Sequence, residues 1–167
     1  MRSAGRRLHA ALATWPDAQG WRQAGRELLW GLPAIALLAF VTGLARFDPM
    51  PFGAPWLAFF FGLMLVPALG EELAFRALLV PRPDQPFPAW QAVLAVTAFL
   101  LWHPLQALGF GPPWSALFLD PRFLAIVAVL GALLVRLYRA TGSIWPCVAT
   151  HWLVVAAWKL LFAGPIG

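Results

Sequence analysis

Five apolar segments decide what this chain can fold into. None of them contains Asp, Glu, Lys or Arg, and they cover residues 28–45, 49–70, 85–119, 123–135 and 140–158. A bilayer core of about 30 Å needs roughly 20 helical residues to cross it, and backbone polar groups inside lipid must be hydrogen-bonded within the protein. The pattern predicts an all-α, polytopic transmembrane helical bundle of five spans, with six spans as the alternative.

The composition agrees with this fold class. Hydrophobic residues make up 61% of the 167 residues and charged residues only 11%, whereas soluble domains carry about 25% charged residues. No internal repeat or second domain is apparent, so residues 28–167 are predicted to form a single transmembrane domain. Cys147 is the only cysteine, which excludes a disulfide within the chain.

The first 27 residues are basic and carry five arginines and two tryptophans without a long apolar core. A secretory signal peptide would need such a core after its early positive charges. Residues 1–27 are instead predicted to be a basic, amphipathic interfacial helix or helix pair that contacts membrane lipid. A disordered basic tail is the alternative.

The distribution of cations predicts an orientation. Nine are expected on one side of the bilayer: Arg2, Arg6, Arg7, Arg22, Arg26, Arg76, Arg82, Arg136 and Arg139. Three are expected on the other side: Arg46, Arg122 and Lys159. Because Lys and Arg concentrate in cytoplasmic loops, the N-terminus is predicted to be cytoplasmic. Orientation also accounts for the net charge of +5, so we expect no nucleic-acid partner.

Two adjacent acids, Glu71 and Glu72, lie in the segment PWLAFFFGLMLVPALGEELAFRALLVP, with Arg76 one turn later. An ionised side chain at the centre of a membrane helix costs about 2.5–3.5 kcal/mol on insertion scales, and a neighbouring acid adds like-charge repulsion. Such a pair predicts a functional site. Glu72 and Arg76 share a helix face and can form an ion pair, which leaves Glu71 to face another helix.

Histidines on two other spans, His103 and His151, are the candidate partners of Glu71. A carboxylate and an imidazole in a desolvated pocket suit general base catalysis on water, and a second imidazole can donate to the oxyanion of a tetrahedral intermediate. This set fits peptide-bond hydrolysis without a metal or other cofactor.

Other readings of these residues stay open. The acids and Arg76 could form a structural ion-pair network, and His103 could be a buried histidine bonded to a backbone carbonyl freed by Pro104. Cys147, one turn before His151, could be a nucleophile or a small packing residue. Two histidines and a carboxylate could bind zinc, although no HExxH motif is present. Intramembrane acids and histidines also form proton relays in carriers.

A depth mismatch complicates the catalytic reading. In a plain helical hairpin Glu71 lies deep in span two, whereas His103 lies nearer the outer end of span three. The two side chains can meet only if span two breaks near residues 67–70, or if span three tilts or starts deeper. Irregular backbone is tolerated in a membrane where protein or a water-filled cavity covers it, so this distortion is predicted.

The series of motifs resembles one family. Glu71-Glu72-x-x-x-Arg76, Phe99-x-x-x-His103, and Gly142-Ser143-x-x-Pro146 leading into His151 occur in this order on successive apolar segments. The pattern resembles the CAAX protease and bacteriocin-processing (CPBP, or Abi) family of glutamic-type intramembrane endopeptidases, over about residues 55–163.

The resemblance implies roles for the site residues. Glu71 would activate water together with His103, Glu72 and Arg76 would hold the site's geometry, and His151 would help to stabilise the oxyanion. The family usually has an asparagine four residues after the last histidine, where this chain has Val155. Either an indole N–H of Trp152 or Trp158 replaces that donor, or His151 acts alone, or catalysis is weak.

The expected substrate is a peptide or a membrane-anchored protein, and the sequence predicts no oligomeric state. The Arg-, Ala-, Pro- and Trp-rich composition with little Lys is typical of a GC-rich bacterial gene, hence the bacterial inner (cytoplasmic) membrane. A non-catalytic binding or immunity protein with the same fold is the main alternative, and Val155 is its best support.

Overall fold

The protein is built from helices. The computed structural model describes residues 2–165, and the side chains from residue 4 onward. No strand occurs in this range, which contains only an isolated bridge between Asp48 and Phe162. The all-α prediction is therefore confirmed. Seven α-helices follow in order: α1 (Arg2–Ala13), α2 (Ala18–Val41), α3 (Ala54–Leu63), α4 (Gly70–Glu72), α5 (Ala89–Gly109), α6 (Pro121–Thr141) and α7 (Trp145–Leu161).

Four helical stretches among the described residues are long and apolar enough to cross a membrane: Ala18–Val41, Ala54–Ala77, Ala89–Gly109 and Pro121–Thr141. The predicted fifth span corresponds to α7, whose 17 residues lie at the short end of the range of about 17–25 that spanning helices use. The architecture is multi-pass, and a count of five or six remains a prediction.

The N-terminal segment is helical rather than a disordered tail. Asp17 caps α2 by accepting a hydrogen bond from the Gly20 N–H at 2.7 Å, and α2 then continues through residue 28 without interruption. The predicted boundary between residues 27 and 28 thus falls inside a helix. Contact of residues 1–27 with lipid and their division from residues 28–167 stay predictions. Of the basic set, the Arg2 side chain lies outside the described residues.

Cations near the two ends of the bundle donate hydrogen bonds to backbone carbonyls. At one end Arg7 donates to the Val80 carbonyl at 2.9 Å and Arg139 to the Pro81 carbonyl at 3.1 Å. At the other end Arg122 donates to the Thr42 carbonyl at 3.1 Å. Arg76 differs from them, because it is buried in the interior and carries no information about orientation. Which end faces the cytoplasm remains a prediction.

The second membrane stretch is broken in the middle. Val66 has the extended dihedrals φ −133° and ψ 115°, and a cis peptide bond joins it to Pro67. Two π-helical segments, Met64–Leu69 and Leu73–Ala77, flank the single turn of α4. The predicted break near residues 67–70 is confirmed. The break separates α3 from the turn that carries both glutamates. This turn therefore does not continue α3 as one regular helix.

Candidate active site

Glu72 is fully buried and holds two helices together. Its Oε1 accepts hydrogen bonds from Arg76 Nη1 at 3.0 Å and from His151 Nδ1 at 2.8 Å. The predicted ion pair between Glu72 and Arg76 is confirmed, with both side chains at or below 1% exposure. Because the second bond comes from α7, Glu72 also fixes the position of the His151 ring.

Glu71 faces the other nitrogen of the same imidazole. Its Oε2 lies 3.9 Å from His151 Nε2, and its Oε1 accepts a hydrogen bond from the Trp102 indole N–H at 3.0 Å. The Oε2 atom has no hydrogen-bond partner among the described residues. The two adjacent glutamates therefore bracket the His151 ring, with one carboxylate opposite each nitrogen.

Arg76 is positioned by the core of the bundle. Its Nη2 donates to the Gly131 carbonyl of α6 at 3.5 Å, and its guanidinium lies 4.1 Å over the Phe99 ring. A side chain at position 131 would place its Cβ 3.1 Å from the Phe99 ring, so glycine lets α6 approach this closely. Phe99 also meets both histidine rings edge-on, with centroids 5.1 Å from His103 and 5.7 Å from His151.

His103 lies apart from Glu71. No hydrogen bond or ion pair joins them in the described part of the chain, and His103 Nδ1 instead bonds the Phe99 carbonyl at 3.0 Å. Because a carbonyl only accepts hydrogen bonds, this contact places the proton of a neutral ring on Nδ1 and leaves Nε2 as an acceptor. The Phe118 and Phe123 rings pack against the imidazole.

A cavity of about 810 Å³ joins these groups, within the range of roughly 300–1,000 Å³ that ligand sites occupy. Apolar residues of α2 and α7 form much of its wall, including Ile35, Ala39 and Val154. Its polar lining consists of Glu71, His103, Gln106, Thr150, His151 and Lys159. Glu71 and His103 therefore face the same space without direct contact.

The position that the family usually fills with asparagine is apolar here, since Val155 lines the cavity. Neither proposed indole substitute is free: Trp152 Nε1 donates to the Phe60 carbonyl at 2.7 Å and Trp158 Nε1 to the Leu44 carbonyl at 2.9 Å. Of the oxyanion donors that the sequence suggested on α7, only His151 therefore remains without a bond that occupies it elsewhere in the backbone.

Two alternative chemistries find little support in the geometry. Cys147 is buried and its thiol donates to the Leu134 carbonyl at 3.4 Å, away from His151. Among the side chains of residues 4–165, no group of three or more His, Cys, Asp or Glu is arranged so that it could hold a metal ion.

Trp102 is the site residue that sequence reasoning missed. Its only signal is its place directly before His103 on an apolar helix, where an indole N–H must find an acceptor inside the protein. Spacing alone does not reveal that the acceptor is Glu71, 31 positions earlier.

Comparison with known families gives a match over most of the membrane part. The family model described as type II CAAX prenyl endopeptidase Rce1-like matches residues 53–157, which is more than half of the chain and includes Glu71, Glu72, Arg76, His103 and His151. No curated protein and no solved structure matches the chain.

Proposed function

The chain belongs to the Rce1-like family of type II CAAX prenyl endopeptidases, and from this we propose that it hydrolyses a peptide bond inside the membrane with a water activated by Glu71. Family membership and four membrane-capable helices make it a multi-pass membrane protease. The observation that carries the proposed mechanism is the pair of carboxylates on either side of His151, with Glu71 and His151 at the wall of a cavity large enough for a peptide.

Glu71 is the proposed base because its side chain lines the cavity and its Oε2 accepts no hydrogen bond from the described residues. A water beside this oxygen would transfer a proton to Glu71 while its oxygen bonds to the substrate's carbonyl carbon. The proton would then pass to the leaving amine as the carbon–nitrogen bond breaks. His103 assists with the acceptor nitrogen Nε2, which can hold the same water through its second hydrogen.

His151 is the proposed oxyanion donor. With Nδ1–H bonded to Glu72, a neutral ring has no hydrogen on Nε2, so donation from Nε2 requires the imidazolium form. The ring lies between the Glu71 and Glu72 carboxylates, and Arg76 pairs with Glu72. Glu72 and Arg76 thus act as positioning residues, which supports the role that the family resemblance implies.

Wild-type activity is the direct test of the proposal. The protein, purified in detergent, is incubated with a library of quenched fluorescent peptides, with and without a strong chelator. We expect cleavage in both conditions. Cleavage that the chelator abolishes would support the zinc alternative, and no cleavage of any peptide would favour the binding or immunity protein to which Val155 points.

Replacing His151 separates its structural bond from its catalytic one. In His151→Asn the side-chain N–H can still reach Glu72, whereas nothing replaces Nε2. We expect this variant to keep its thermal stability and to lose about 10²–10³ in kcat, the usual effect of one missing oxyanion donor. His151→Gln should lose stability as well, because its longer amide cannot keep the Glu72 bond. Full activity in His151→Asn would contradict the assignment.

Trp102 is a further positioning residue in this proposal, because its indole N–H holds Glu71 Oε1 while Oε2 lies 3.9 Å from His151 Nε2. Trp102→Phe should lower kcat about tenfold, the effect of one lost charge-assisted hydrogen bond, with little change in KM. Trp30→Phe is the matched control, because Trp30 makes the same 3.0 Å bond to Glu27 on an exposed surface. Equal kinetics for both variants would refute the role.

A further inference from the structure

A second cavity, of about 700 Å³, lies between α5 and α6 at the end of the bundle where Arg7 and Arg139 bind backbone carbonyls. None of its lining residues also lines the cavity that holds Glu71. Its walls include Ala92, Val93 and Val96 on α5, and Ala132, Arg136 and Arg139 on α6. On each helix these residues recur at intervals of three or four, so they share one face. Two helix faces therefore enclose a groove that the proposed mechanism does not use.

The groove opens toward lipid rather than toward water. Val93 is 64% exposed and its neighbour Leu94 is 55% exposed, on a helix long and apolar enough to cross a membrane. In a multi-pass protein such side chains contact acyl chains. Ala92 and Ala132, on the facing walls, have short side chains that leave space between the two helices. An apolar chain from the bilayer can therefore enter the groove.

Two arginines close one end of the groove, and only one of them has an acidic partner among the side chains that the structure describes. Arg136 pairs with Glu27 at 2.6 Å, although its side chain is 59% exposed. Arg139 donates to the carbonyls of residues 81–83 and lies over the Phe87 ring at 4.9 Å. Carbonyls and rings carry no net charge, so two cations face one carboxylate here, and this end keeps a net positive charge.

The length of the groove fits a molecule with a charged head and an apolar chain. Arg139 follows Ala132 by seven residues, which corresponds to about 10 Å along a helix. The groove therefore runs from a positive end toward the middle of the bilayer along apolar walls. A phospholipid with an anionic headgroup has the complementary charge and shape, and basic pockets between transmembrane helices bind such headgroups. A soluble anion would use only the charged end.

We propose that the groove between α5 and α6 binds one anionic phospholipid, with its phosphate beside Arg136 and Arg139 and an acyl chain between Val96 and Ala132. An arginine has five N–H donors, and Glu27 occupies only Nε and Nη2 of Arg136. The remaining N–H groups of that guanidinium can donate to the phosphate. The site is independent of the proposed peptidase function, because it shares no residue with the catalytic groups or with their cavity.

Competition between two phospholipids tests the charged end. The protein, in a neutral detergent, is incubated with equal amounts of phosphatidylglycerol and phosphatidylcholine of the same acyl chains, and bound lipid is counted by native mass spectrometry. We expect phosphatidylglycerol to bind about fivefold to thirtyfold more tightly, as one or two nearby arginines would give. Arg136→Gln should bind both lipids equally, because Glu27 then opposes the charge of Arg139. Equal binding of the two lipids to the wild type would overturn the proposal.

A matched charge control separates this site from a diffuse attraction to the basic end. Arg22→Gln/Arg26→Gln removes two exposed arginines from α2 at the same end of the bundle, away from the groove. This variant should keep the preference for phosphatidylglycerol. A loss as large as that in Arg136→Gln would show that no particular arginine is recognised, and the proposed site would be wrong.

Filling the groove tests its apolar part while both arginines stay in place. Ala132→Phe should weaken phosphatidylglycerol binding about tenfold, as if about two methylene groups were kept from the groove, and Ala125→Phe, at an exposed position of the same helix, should not. Ala92→Phe on the facing wall replaces Ala132→Phe if that variant loses thermal stability. Glycerol phosphate, which has the charge without the chain, should not displace the lipid. Displacement at equal concentration, or full binding in the filled variants, would refute an acyl-chain site.

Discussion

Glu71→Gln should abolish peptide hydrolysis while leaving the fold intact. The amide has the shape of the carboxylate, and its carbonyl can still accept the hydrogen bond from Trp102. It cannot take a proton from water, however. General acid–base groups contribute about 10²–10⁴ to rates, and Glu71 is the only proposed base that also returns the proton to the leaving amine. We therefore expect kcat to fall by about 10⁴.

The measurement is the initial rate at which each variant cleaves a quenched peptide, and the variants compared have equal thermal stability. Glu27→Gln is the matched control: it makes the same substitution in a membrane-capable helix, at a glutamate that pairs with Arg136 on the surface. Its rate should equal that of the wild type. If Glu71→Gln cleaves as fast as Glu27→Gln, water activation does not involve Glu71 and the mechanism is wrong.

Arg76→Met should have the largest effect on stability. It leaves Glu72 buried at 0% exposure with its principal countercharge removed. Breaking a buried ion pair by removing one partner destabilises proteins by about 3–5 kcal/mol. The substitution also removes the contact of the guanidinium with the Phe99 ring and its hydrogen bond to the Gly131 carbonyl. The free energy of unfolding in mixed micelles should fall by this amount.

Two comparisons make the stability prediction specific. Arg136→Met removes the same side chain from the largely exposed pair with Glu27, and surface pairs contribute about 0–1 kcal/mol. Glu72→Gln/Arg76→Met removes both charges and should recover part of the lost stability, since no buried charge is left unpaired. Activity should not return, because the His151 ring would lose its charged partner. A double variant as unstable as Arg76→Met would contradict the charge argument.

The sequence predicted the parts of the site that depend on local spacing. Glu72 and Arg76 are four residues apart, so their ion pair follows from helix geometry alone. The break in the second span was predicted from the mismatch in depth between Glu71 and His103, and Pro67 and Gly70 marked where it could occur. Val66, rather than residues 67–70 themselves, carries the non-helical dihedrals.

The contacts between site residues that are far apart in the chain could not be predicted from the sequence. Local spacing could not show that His151 would lie between the two carboxylates, or that the Trp102 indole would hold Glu71. The hydrogen bond from His103 goes to the Phe99 carbonyl of its own helix, a competing local interaction that any membrane histidine can make. Lys159 was expected on the same side of the bilayer as Arg46 and Arg122, but its burial among aromatic side chains was not predicted.

Helix boundaries were hardest to predict where charged residues lower the mean hydropathy of a segment. The predicted first span began at residue 28 and omitted the first ten residues of α2, because these contain Arg22, Arg26 and Glu27. Asp17 nevertheless provides the capping signal for the start of the helix. The turn at Gly142, with φ +66°, separates α6 from α7. The shortness of α7 explains why four rather than five stretches meet the length of a span.

The bond between Glu72 and His151 has a consequence for biogenesis. The imidazole belongs to α7, which the ribosome delivers after every other helix described here. Until it arrives, the described partners of the two acids are Arg76 for Glu72 and Trp102 for Glu71, and the imidazole that lies between their carboxylates is missing. If the proposed mechanism holds, a nascent chain cannot cleave neighbouring proteins in the translocon, and we expect activity only after α7 has been inserted.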